Sequence, residues 1–202
     1  HQDVSSIISW LKSRSESSSR PIQTTMDHYI YATRLKQIWC DAVAKYQAGN
    51  RNPETYFNPS TLAELASLGL NTMDVYDYAE DFVSQDDPSF ETFLLVCEVR
   101  RDYFLNIQKG QPSKQTLDPS TLPAKDQSLA GILWLPRILP KALAKIRGEL
   151  PPEVMYGCGG DRRFFKANNI HPAEFLRIVE SQHQDVSSII SWLKSRSESS
   201  PT

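Results

Sequence analysis

The first eighteen residues, HQDVSSIISWLKSRSESS, recur without a change at residues 183–200. Identical side chains offer identical faces, so any groove that accepts one copy accepts the other. The segment reads as a short amphipathic helix. Asp3 can cap it, and Val4, Ile7, Ile8 and Leu11 fall at i, i+3, i+4 and i+7, with Trp10 at the edge of that stripe. In the second copy the corresponding side chains are Ile189, Ile190, Trp192 and Leu193, and the copy follows directly on a helical segment, PAEFLRIVESQ. Two such helices cannot both fill the one groove that a single module offers. Either residues 1–25 are an appended copy without functional weight, or the first copy docks in another chain and links chains head to tail or as a swapped dimer. On the second reading Ile7, Ile8, Trp10 and Leu11, with Ile189, Ile190, Trp192 and Leu193, form the interface.

The rest of the chain carries the helical period. Tyr31, Leu35, Ile38, Trp39, Ala42 and Tyr46 recur every three or four residues until Gly49-Asn50 stops the run. Asn58-Pro59 supplies an N-cap and a first-turn proline, and Gly69 falls where a helix needs a left-handed residue to end. Asn71 can cap a further helix whose inward face is Val75, Tyr76, Ala79, Phe82 and Val83. Asp87-Pro88 is expected to open the longest element, to Lys109, which is apolar on two sides and therefore belongs in the centre of a bundle. Residues 110–128 carry Pro112, Pro119 and Pro123 among polar residues and read as a linker.

Beyond it, ILWLPRILPKALAKIRG is expected to be a helix bent at its start, because an internal proline removes a backbone donor and clashes with the preceding turn. Asp161 can cap RRFFKAN. His171-Pro172 followed by Glu174 has the form of a helix start with a carboxylate reaching back. No alternating strand pattern stands out.

Composition narrows the function. With 22 basic and 24 acidic side chains the net charge is −2, which gives no field to hold a polyanion or an anionic membrane. Cys40, Cys97 and Cys158 form no CxxC pair, which argues for reduced thiols and against a zinc knuckle or a disulfide framework. No apolar run reaches the ~20 residues of a membrane span. P-loop, dinucleotide, HExxH and GxSxG patterns are absent. The expectation is a cytoplasmic protein without cofactor or metal, with nucleic acid disfavoured as a partner.

In order along the second half, LPRILPKALAKIRG, YGCGGDRRFF, IHPAEFLRIV and SIISWLKSR resemble a bacterial family of small helical domains of unknown function, of outline LPR…K…YxC…D…F. The likeness runs from about Leu129 to Ser197, with Ala32–Ser113 similar to the helical region preceding it in longer members. It implies weight for Pro136, Arg137, Lys141, Tyr156, Cys158, Asp161 and Phe164, and it implies no activity. Pro140 departs from the polar residue expected before the lysine.

Two constellations could carry chemistry. In Tyr156-Gly-Cys-Gly-Gly-Asp-Arg-Arg, glycines let the backbone turn closely, and a helix start beside Arg162 and Arg163 suits an anion. Arg137, Lys141, Gly159, Gly160, Arg162 and Arg163 are the candidate anion ligands, and Cys158 with Asp161 is the candidate catalytic pair, the thiol as nucleophile. The plainer reading is a structural turn. Arg137, Lys141 and Lys145 share a helix face that ordinarily stays in water. Asp74, Asp77, Glu80, Asp81, Asp86 and Asp87 form an acidic surface that could hold a cation, stay solvated or meet the basic face of the other half.

The sequence thus predicts an all-α protein of two small helical modules, 26–109 and 129–202, joined by 110–128, with a duplicated terminal amphipathic helix over 1–25. Its expected role is interaction or regulation through helix-in-groove contacts, with self-association through the repeated helix and a possible protein partner. The alternative is a small-anion-binding protein or enzyme centred on the Tyr156–Arg163 turn.

Overall fold

Prolines and polar caps partition the chain into eight helices among the described residues of a computed structural model, which are 26–182 and 185–198. The first copy of the repeat, with Ile7, Ile8, Trp10 and Leu11, lies outside them. Helix α1 (Tyr31–Gln47) buries Leu35, Ile38, Trp39, Ala42 and Tyr46. The expected Asn58 cap accepts from Thr61 N at 2.9 Å and starts α2 (Pro59–Ser67). Asn71 and Asp74 exchange side-chain and backbone bonds in a capping box at the head of α3 (Thr72–Gln85). Next comes α4 (Phe90–Asp102), which runs into a π-helical turn, Tyr103–Ile107. Its cap is Ser89, whose side chain accepts from Thr92 N, rather than Asp87, so the helix starts two residues beyond Pro88.

The second half opens differently from expectation. Ile132 and Leu133 form not a helix start but strand β2 (Ile132–Leu133) of a hairpin, paired with β1 (Ser128–Leu129) through Ala130-Gly131. Both turn residues have positive φ, 52° and 82°, the pattern of the mirror-image turns that match strand twist. Helix α5 (Leu135–Arg147) then runs through Pro140 and ends at Gly148. Three short helices follow: α6 (Gly159–Ala167), α7 (Pro172–Ser181) and α8 (Val186–Glu198). His171 and Glu174 build the expected capping box of α7, and Asp185 accepts from Ser187 N at 3.0 Å at the start of α8.

One hydrophobic core runs through both halves. Tyr78 and Phe93 from the first lie in the same cluster as Ile138, Tyr156, Phe175 and Leu176 from the second. Helix α4 is central, as its two apolar sides imply, packing on α1 in its own half and on α5 and α7 in the other. Residues 110–128 lie along the second half: Leu117 N donates to Glu149 O at 2.8 Å and Arg137 to Pro123 O at 2.7 Å. Within α8, Ile189 and Leu193 are fully buried, and Ile190 and Trp192 pack at the edge of the core.

Arg100 ties several ends together. Its guanidinium, 3% exposed, donates to Gly69 O just past the end of α2 (3.0 Å), to Ile146 O in the last turn of α5 (3.0 Å) and to Gln108 past the π turn (2.7 Å). Helix ends leave carbonyls unsatisfied and carry partial negative charge, so one buried cation serves two of them. Burial pushes the Arg100 pKa down, with Asp74 the first of the charges opposing it.

Candidate functional site

The turn singled out in the sequence sits at the seam between the halves. Gly157 has φ +94°, and a Cβ there would lie 2.7 Å from the Tyr78 hydroxyl. That close approach lets Tyr78 donate to Tyr156 O at 2.9 Å, while Tyr156 donates to Pro172 O at 2.8 Å. Burial raises both phenol pKa values well above the ordinary range, so each works as a fixed donor.

Asp161 does not cap α6. The helix begins two residues earlier, after Cys158, which makes no side-chain cap bond, and Asp161 in the first turn is wholly buried. Its carboxylate accepts from Gly157 N (2.9 Å), Trp134 Nε1 (2.8 Å) and the Lys141 ammonium. Lys141 also lies 3.4 Å from Cys158 Sγ. A buried ion pair gains little net stability over an apolar pair, but removing one partner leaves the other charge stranded at a cost of about 3–5 kcal/mol. Gly160 is needed for packing: a Cβ would stand 2.4 Å from the Trp134 ring.

The expectation that Arg137, Lys141 and Lys145 share a solvated face fails for the two lysines, each 3% exposed. The reason is α3. Asp74, Asp77 and Asp81 recur along one side of it, and that side faces the second half. Lys145 pairs with Asp74 at 2.5 Å, and Arg162 pairs with Asp81 at 2.5 Å while donating to Gly157 O (2.9 Å) and Gln85 Oε1 (2.8 Å). Asp87 accepts from Lys166 at 2.8 Å and lies 3.2 Å from Arg162 Nε. Of the three alternatives for the acidic surface, Asp74, Asp81 and Asp87 follow the third, meeting the basic face within the chain. Burial pushes Asp77 up to about 7, with neighbouring Asp74 adding to the rise and Lys145 opposing it.

The candidate anion ligands are therefore divided. Lys141 and Arg162 are engaged by carboxylates of their own chain, Arg137 by a backbone carbonyl, and Gly160 by an indole ring; Arg163 is exposed. The candidate catalytic pair is brought together through Lys141, with Cys158 half-buried, Cys40 exposed and Cys97 buried. Burial raises Cys97 to about 12. Among the described residues no group of three His, Cys, Asp or Glu side chains is placed to hold a metal ion, and no helix is long and apolar enough to cross a membrane. The sequence reading missed Arg100, Tyr78 and Thr92. A charged residue inside the apolar pattern of α4 was the only visible sign of the first.

Residues 121–202 match the model of a family described as a domain of unknown function (DUF5069). The match spans the hairpin and all four helices of the second half, where the resemblance to a small-domain family of unknown function was read. No curated protein and no solved structure matches the chain.

Proposed function

We propose that the protein assembles by exchange of its terminal helix, the groove that holds α8 in one chain receiving residues 1–18 of another. The observation that carries this reading is the complete burial of Ile189 and Leu193, because Ile7 and Leu11 repeat them within an identical eighteen-residue sequence. A fully buried side chain of this size contributes about 1.5–3 kcal/mol, so either copy brings a comparable driving force to the groove. Arg196, equivalent to Arg14, adds an ion pair to Glu174 at 3.2 Å. The tethered copy has the advantage of local concentration, and the free copy gains as protein concentration rises.

Light scattering of the full chain across a concentration series tests the reading. The unaltered chain should gain mass with concentration, and a full-length variant carrying Ile7→Asp and Leu11→Asp should stay monomeric. Equal masses for the two would sink the exchange.

A further inference from the structure

A cavity of about 210 Å³ opens at the seam, beside the Asp87-Pro88 turn and the heads of α4 and α7. Its apolar wall is made by Phe165, Ile170, Pro88 and Pro172. His171, Thr92, Asp87, Arg162 and Lys166 supply the polar atoms.

The hydrogen atoms in it can be assigned. Ala173 N donates to His171 Nδ1 at 3.1 Å, so Nδ1 carries a lone pair and the neutral ring bears its proton on Nε2. Burial, with Arg177 second, lowers the His171 pKa and favours that neutral ring. Nε2 lies 3.4 Å from Thr92 Oγ1 and must be the donor there. The Thr92 hydroxyl hydrogen is then left over, with no acceptor among the described residues.

On the other side, Lys166 and Arg162 Nε both reach Asp87 through Oδ2, which leaves Oδ1 as an acceptor. Charge is balanced. Arg162 and Lys166 are matched by Asp81 and Asp87, so the site offers no net attraction to an ion.

We propose that this cavity binds a small neutral planar ring bearing both a hydrogen-bond acceptor and a donor, of the aromatic carboxamide or amino-heterocycle class. The acceptor takes the Thr92 hydroxyl hydrogen, the donor reaches Asp87, and the ring lies among Phe165, Pro88 and Pro172. The volume is below that of a drug-sized pocket, which limits the ligand to about one substituted ring.

Benzamide is the probe, with benzoate and toluene as charged and apolar controls, titrated while the His171 and Thr92 NMR signals are followed. Benzamide should saturate with a dissociation constant in the millimolar range, as expected for so small a ligand, and both controls should bind about tenfold more weakly. Thr92→Val, with its fold checked by thermal unfolding, should weaken benzamide by about tenfold and leave toluene unchanged. No saturation by about 20 mM, benzoate or toluene binding as well as benzamide, or a Thr92→Val protein that binds benzamide unimpaired would overturn the assignment.

Discussion

At the residue scale the seam is a set of charges whose protonation depends on burial. Asp77 has a pKa near 7 when folded against an ordinary value of 3.8, so the folded chain holds a proton there that the unfolded chain has lost. Its stabilising contribution is complete below about pH 4 and disappears as the pH climbs through 7. Asp77→Asn, which mimics the protonated side chain, should match the parent near pH 4 and exceed its stability by about 1–2 kcal/mol near pH 8. Urea unfolding at both pH values measures the difference, and a gap that ignores pH would remove the cause given for the shift. The sequence offered the meeting of this acidic surface with the basic face as one alternative of three and could not choose among them. A carboxylate every three or four residues along a helix looks the same in sequence whether it meets water or a lysine from a segment seventy residues away.

At the scale of the element, the caps were the most legible part, because a cap is a local event between residues three or four apart. Asn58, Asn71 and the His171–Glu174 pair stand where their side chains imply. The failures were also local in origin. Ala130-Gly131 makes a turn that a run of apolar residues conceals, and Ser89 takes over the cap from Asp87. Glycines divide by their surroundings. Gly49 has φ +93° with nothing near its missing Cβ, whereas at Gly69, φ +71°, a Cβ would stand 2.5 Å from the Phe104 ring. Gly49→Ala should therefore cost only the left-handed backbone penalty of about 1–2 kcal/mol. Gly69→Ala adds a collision in the core and should cost about 3 kcal/mol or more. Denaturant midpoints of the two variants separate the contributions, and equal losses would mean that Phe104 moves aside freely.

At the scale of the whole molecule, the all-α class and the central position of α4 followed from periodicity, while the sharing of one core did not. A proline-rich stretch reads as a joint between modules, and only tertiary contacts reveal that the parts on either side are packed together. The same holds for Arg100, whose guanidinium touches carbonyls of α5 and of Gly69, the second residue past α2. Opening either helix end strands that cation, so the two ends cannot loosen independently. In the language of amide hydrogen exchange, the last turns of α2 and α5 should form one cooperative unit, their slowest protons leaving with a common free energy although about eighty residues separate them. Arg100→Met should speed exchange at both ends together. Acceleration at one alone would show that they open separately. A chain whose halves share their slowest motion keeps the memory of its folded state in both or in neither.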